Sequence, residues 1–144
     1  MLRYTSTLNT KYCEDLERLM FFNPGQQTAL AAIVDSLETF GSPSVYTDNE
    51  LLRVKVEKLD EVQTLYALND DVLAGVLVYS RTLLERLTVI HIAVDQKYSS
   101  HGKYSSSMLV LRMLELLRKN ARRIKGVETI RVMCSDNQIR DYPV

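Results

Sequence analysis

Two stretches of this chain carry groups suited to chemistry. The first reads Ser99-Ser100-His101-Gly102-Lys103-Tyr104-Ser105, small hydroxyl residues around one glycine, with a histidine and a lysine beside it. At the start of a helix such a loop suits an anion, because the helix's first N–H groups lack internal partners and its dipole adds positive potential. His101, when protonated, and Lys103 offer further contacts to a phosphate, although a solvated loop histidine and a lone surface lysine are just as ordinary. The second is His91, set in the apolar run RLTVIHIAV of residues 86–94. An imidazole serves as a general base only where it reaches its proton directly or through one water. Alternating with Ile90 and Ile92, His91 fits a core histidine bonded to a neighbour better.

Both stretches need elements to hold them. Leu87, Val89, Ile90, Ile92 and Val94 are interrupted only by Thr88 and His91 as polar residues. A run this apolar on both alternations predicts a strand covered on both faces, central in its sheet. After the loop, Met108, Leu111, Leu114, Leu117, Ala121 and Ile124 predict the buried side of a long helix, and Arg112, Glu115, Lys119 and Arg122 its solvated side. Arg118, Lys119, Arg122, Arg123 and Lys125 make the end of that helix basic, which complements its C-terminal carbonyls better than it marks a nucleic-acid patch. Gly126 closes the helical run, and Val127, Ile130, Val132 and Cys134 predict a strand. Strand, helix and strand in this order demand a parallel pair joined in the right-handed sense.

The N-terminal part supplies the rest of the sheet and its cover. Leu2–Thr7 predicts a first strand near an edge, and Asn9 or Thr10 caps a helix running to Phe22. Asn23-Pro24 begins a second helix carrying Leu30, Ile33, Val34, Leu37 and Phe40, which Gly41 ends. Ser42-Pro43-Ser44 reads as a turn. Leu52, Val54 and Val56 alternate with Arg53, Lys55 and Glu57 as a half-buried strand, while a helix over residues 50–59 also fits. Val62–Leu68 and Val72–Tyr79 bracket the turn residues Asn69-Asp70-Asp71, a hairpin, and Gly75 inside the second strand marks a bulge or a close backbone approach.

Composition bounds the function classes. With 144 residues the chain is read as one domain, residues 1–144, able to bury about two-thirds of its unfolded surface. Lys and Arg number 18, as do Asp and Glu, so no net field recruits nucleic acid or an anionic membrane. No apolar run approaches the roughly 20 residues that span a bilayer, and the N-terminus lacks an apolar signal core, so a cytoplasmic protein is expected. Two cysteines, Cys13 and Cys134, and two histidines in no metal-binding spacing argue against a metal site and suggest reduced, packed thiols.

The element order, and the stretch from Arg86 to Ile124 above all, resembles the GNAT acyltransferase superfamily. In that family a meander ends in a central strand, a loop binds the pyrophosphate of acetyl-coenzyme A, and a long helix follows. Val94-Asp95-Gln96-Lys97-Tyr98-Ser99-Ser100-His101-Gly102-Lys103-Tyr104 is similar in length and placement to that loop. Tyr98 and Gly102 match the family motif; Ser99 stands in place of Arg or Gln, and Tyr104 in place of Gly or Ala. The resemblance implies an α/β (α+β) fold, a mixed and mostly antiparallel sheet flanked by helices in the order β-α-α-β-β-β-β-α-β. It also implies an acetyl-coenzyme A site made of Ile92, Ala93 and Val94 for the pantetheine and Ser99, Ser100, His101, Gly102, Lys103, Tyr104 and Ser105 for the pyrophosphate, with His91 as the catalytic candidate.

The family continues past the strand ending at Cys134 with a helix and two more strands that wall the acceptor site. Here ten residues follow, Asn137 resembles the asparagine that often opens that helix, and Tyr142 falls at the wrong spacing for the family's general acid. Glu57, Asp60 and Glu61 either line an acceptor pocket or are solvated strand-end charges. Two functions follow as expectations. One is an N-acetyltransferase moving acetyl from acetyl-coenzyme A to a small-molecule or protein amine. The other is a catalytically inactive interaction or regulatory module, paired as a homodimer through an open edge after residues 127–134.

Overall fold

The computed structural model describes residues 1–21, 37–99, 102–133 and 139–144, with Met133 described by its backbone alone. In chain order the elements are β1 (Leu2–Thr5), α1 (Cys13–Phe21), β2 (Pro43–Asp48), β3 (Leu51–Val56), β4 (Gln63–Asn69), β5 (Val72–Leu83), β6 (Arg86–Val94), α2 (Leu109–Ala121), β7 (Thr129–Met133) and β8 (Ile139–Pro143). Six strands form one sheet in the order β1-β4-β5-β6-β7-β8, and β2 and β3 form a separate pair. Among the described strands β6 pairs with β7 in parallel and the other neighbours run antiparallel. This is the mixed, mostly antiparallel sheet with flanking helices that the element order implies.

Local chemistry sets the turns. Asp70 and Asp71 take left-handed conformations, φ 49° and 67°, between β4 and β5. Two successive positive φ values let a two-residue turn match the twist of its strands, and Asp tolerates them well. Asn49 and Glu50 repeat the same pair of angles between β2 and β3. The helical alternative for residues 50–59 is thereby excluded. Ser42-Pro43-Ser44 is not a turn either. Pro43 opens β2, a position where its missing N–H removes no interior ladder bond. The helix expected from Asn23-Pro24 lies mostly outside the described residues. Leu37–Phe40 are helical, and Gly41 N donates to Leu37 O at 2.9 Å with φ +86°, a left-handed helix end. Upstream, Asn9 Oδ1 accepts from Lys11 N at 2.9 Å and caps the single 3-10 turn that leads into α1.

The sheet is covered on both sides, so β5 and β6 bury both alternations. On one face Leu16, Leu19 and Met20 of α1 pack with Leu52, Val54 and Val56 of β3 onto Tyr66, Val76, Val78 and Ile90. On the other, Leu109, Met113, Leu117 and Ala121 of α2 pack onto Ala67, Leu77, Leu87, Val89 and Ile130. Leu117 and Ala121 are buried as expected and Leu114 and Ile124 pack partly, but Leu109 and Met113 take the places expected of Met108 and Leu111, which are 56% and 55% exposed; Met108 is left-handed (φ 52°, ψ 47°) and precedes the helix. Gly75 makes room for this face. A Cβ there would lie 3.0 Å from Met113 Sδ, and the β4–β5 register shifts beside it, so both the bulge and the close approach are present.

One further strand lies where an open edge was expected. β8 pairs with β7 antiparallel from Thr129–Pro143 to Met133–Ile139. Arg131 closes a bidentate contact to Asp141, Nε to Oδ1 at 2.8 Å and Nη2 to Oδ2 at 3.0 Å. The edge of residues 129–133 is therefore occupied by the chain's own final strand.

Candidate functional site

The site grows from the way β6 and β7 part. Their parallel register runs through Arg86–Thr129, Leu87–Ile130 and Thr88–Arg131, and no further pair joins them among the described residues, while β6 continues through Val89–Val94. Just past the last pair, β6 carries a bulge. Val78 pairs with His91 and Tyr79 with Val89, leaving Ile90 as the extra residue. A bulge bends its strand and re-aims the side chains around it. Ile90 and His91 both turn to the face of α1, where Ile90 joins the core with Ala93, while Ile92 and Val94 pack partly buried on the α2 side.

His91 is partly accessible at the surface, yet burial pushes its imidazole down to about 4. At neutral pH the ring is uncharged, and a base this weak takes a proton poorly from an ammonium group.

The loop after β6 is tightly self-bonded. Asp95 N donates to Ala74 O at 2.8 Å, and Asp95 Oδ1 caps a short turn through Lys97 N at 3.0 Å. Gly102 N donates to Ser99 O at 3.0 Å, Tyr104 N to Lys97 O at 2.6 Å and Ser105 N to Gly102 O at 3.2 Å. Ser99 turns inward, its Oγ donating to Gln96 O at 2.7 Å. Ser100 and His101 lie outside the described residues. The small size of Gly102 serves this closure, since a Cβ there would collide with the carbonyls of Gln96 and Lys97. The amides of Gly102, Tyr104 and Ser105 are thus engaged within the loop. Lys103 N–H makes no backbone hydrogen bond among the described residues, and the Lys103 ammonium lies 5.3 Å from the Tyr104 ring centroid.

Two aromatic rings fix the loop to the sheet. Tyr98 is buried, accepts a hydrogen bond from Asn69 Nδ2 at 2.7 Å, and stacks obliquely on Tyr104 with centroids 5.1 Å apart. The α2 start that follows has no side-chain cap. Cys13 sits at the head of α1, 3.5 Å from Glu17 Oε1, with its thiol raised by burial and by that glutamate; Cys134 lies outside the described residues.

An open cleft of about 490 Å³ lies beside the β2–β3 hairpin and the start of β4. Asp60 and Glu61 line it, whereas Glu57 turns away to accept from Ser42 N at 2.7 Å. Four separate segments build this cleft, so only those acidic residues signalled it. Among the described residues no helix is long and apolar enough to cross a membrane.

The sequence matches no family model and no curated protein. Similarity to solved structures extends over 92% of the chain. It is similar to the ribosomal-protein-S18-alanine N-acetyltransferase of Escherichia coli (14% identity, TM-score 0.44, 66% of that chain covered). It is also similar to a Desulfovibrio desulfuricans protein described as a GNAT-family acetyltransferase (14%, 0.45, 72%). A third is a Bacillus anthracis protein described as a streptothricin acetyltransferase and solved with acetyl coenzyme A (12%, 0.40, 74%). The chain spans about two-thirds of the length of the Escherichia coli enzyme it resembles.

Proposed function

We propose that this chain binds an acyl-coenzyme A, acetyl-coenzyme A in the first instance, and passes the acyl group to an amine. The observation that carries this reading is the parting of β6 from β7 immediately before a bulge. Pairing that stops after three register pairs would leave the backbone of the second half of β6 open to an extended, amide-bearing chain such as pantetheine. The loop fits the nucleotide end less completely. Lys103 offers an amide and an ammonium, and the other amides reach a phosphate only by exchanging their present bonds. Met108 supports a working role for this corner, because a left-handed non-glycine residue costs of order 1–3 kcal/mol and such strain gathers at functional sites.

The coenzyme would bring a thioester ready for aminolysis. The chain's part is to align it along β6, to polarise its carbonyl with a backbone N–H near the bulge, and to keep water out with the apolar residues around Ile90 and Ile92. His91, neutral at pH 7, does not store the proton: the acceptor ammonium first loses it to solvent, the free amine attacks the thioester carbonyl, and the C–S bond breaks to release the coenzyme as its thiolate. Calorimetry and thermal shift with acetyl-coenzyme A test the binding step. Ligand at about a hundred times its dissociation constant adds roughly 2.7 kcal/mol, several degrees for a domain of this size. Thiol release with an amine panel then tests transfer.

The closed loop favours a second reading, an interaction module without turnover that pairs with a second copy. Absence of any shift at millimolar acetyl-coenzyme A, together with a dimer by light scattering, selects it.

A further inference from the structure

The zero net charge of the chain conceals a division. Residues 1–80 hold 12 Asp and Glu against 6 Lys and Arg, and residues 81–144 hold 6 against 12. The first half supplies β1 and β4 and the second β6, β7 and β8, so the sheet order β1-β4-β5-β6-β7-β8 runs from an acidic side to a basic one. Several of the cations gather where α2 ends beside the β5–β6 turn. Leu83 pairs with Arg86, which leaves Leu84 and Glu85 as the turn itself. Turn positions ordinarily take Gly, Asn or Asp. Here Leu84 is 75% exposed and its neighbour Leu83 46%.

The tip is held in place. Arg81 Nε donates to Leu84 O at 2.7 Å and Arg81 Nη2 to Lys125 O at 2.8 Å, while Glu85 O accepts from Glu128 N at 2.7 Å and Thr129 N at 3.1 Å. The same bonds bring the basic end of α2 to the leucines. Arg122 Nε reaches Val144 O at 3.3 Å. The exposed Arg123 and Lys125 side chains make no hydrogen bond or ion pair among the described residues. With Arg81 they set four cations against the carboxylates of Glu85 and Glu128. A nucleic-acid backbone would satisfy these cations and leave the leucines in water. The headgroup–acyl boundary of an anionic bilayer satisfies both, since its surface potential draws Lys and Arg while leucine side chains sink just below the headgroups. Because the tip is already ordered, docking has little left to fix.

We propose that this corner docks the protein on an anionic membrane surface, with Leu83 and Leu84 entering the interface and Arg122, Arg123 and Lys125 meeting the headgroups. The docking does not depend on the acyl-transfer reading and is compatible with it. β6 leads from Arg86 at this corner to Val94, roughly 26 Å away along an extended chain, so the loop after β6 stays clear of the bilayer. The probe is vesicles of equal parts phosphatidylcholine and phosphatidylserine, against phosphatidylcholine alone, with the bound fraction read by co-sedimentation. Binding to the anionic vesicles alone, falling with added salt, is expected. Arg123→Gln/Lys125→Gln should weaken it about fivefold per cation, and Leu84→Ser about tenfold. Both variants alter exposed side chains and keep the wild-type melting temperature. Lys55→Gln, which removes a cation from β3, should bind like the wild type. Absence of binding to anionic vesicles at low salt, equal losses in Lys55→Gln and the double variant, or a Leu84→Ser variant that binds like the wild type would overturn the proposal. Binding of single-stranded oligouridine that displaces the vesicles and ignores Leu84→Ser would overturn it in favour of nucleic acid.

Discussion

Replacing His91 with Gln probes the least ordinary titrating group in the described structure. Burial holds the imidazole at about 4 against an ordinary value of 6.5. Below pH 6.5 the unfolded chain takes up a proton that the folded chain refuses, so stability falls with falling pH until the folded ring also titrates near 4. At about 1.4 kcal/mol per pKa unit, the full difference is about 3 kcal/mol. Roughly 2 kcal/mol of it is lost between neutral pH and about pH 5. Urea unfolding of wild type and His91→Gln at those two pH values isolates this contribution, since Gln keeps a hydrogen-bonding side chain without a titrating proton. The wild type should lose about 2 kcal/mol more than the variant. A ring-proton titration of His91 with its midpoint near 6.5, or equal losses in the two proteins, would refute the reasoning. If the reasoning holds, a rate profile for acyl transfer shows no inflection near 6.5 from this residue.

Gly102→Ala should break the Tyr104–Lys97 and Gly102–Ser99 backbone bonds, seen as lost hydrogen-exchange protection at both amides and about 1–3 kcal/mol in urea unfolding. Met113→Ala, deleting a wholly buried side chain beside Gly75, should cost about 2–5 kcal/mol in the same assay. Met108→Asn should raise stability by up to about 1 kcal/mol, because Asn tolerates the left-handed backbone and the methionine it replaces is mostly exposed. The Arg131 hydrogen bond holds Asp141 below the usual carboxylate range, so its support for β8 is present at neutral pH and disappears as acid protonates it. Protection factors of the amides in residues 139–142, corrected for the intrinsic rate, should fall on acidification below that range, and Asp141→Asn should show the reduced protection at pH 7.

Legibility followed periodicity. β6 stood out because both its faces are covered, and β4 and β5 because Asp70 and Asp71 advertise a two-residue turn. β2 was hidden: Ser-Pro-Ser has turn composition, its second half is exposed, and its turn places Glu50, a residue with no left-handed preference, at positive φ. β8 was hidden for the opposite reason. All five of its residues are exposed and one is proline, so no apolar alternation announces it, and its register depends on Arg131 meeting Asp141. The α2 face was read correctly at Leu117 and Ala121 but not at its start, where Leu109 and Met113 are buried and Met108 and Leu111 exposed, because an apolar helix start offers more than one stripe. For the site, the loop's position between strand and helix was readable, whereas its closure on Gln96 and Lys97 is a matter of backbone partners that residue types do not encode.

The parallel pairing of β6 with β7 also governs the order in which this chain can assemble. β4, β5 and β6 are joined by short turns and can zip together locally, but Arg86 meets Thr129 only after the intervening loop and helix close a span of roughly forty residues. β7 and β8 must therefore arrive late, carried in by α2 as Leu117 and Ala121 dock on the sheet. Until they do, β6 is a long apolar edge strand open to any neighbouring chain. Aggregation during refolding should accordingly track the docking of α2 more closely than the stability of the finished sheet.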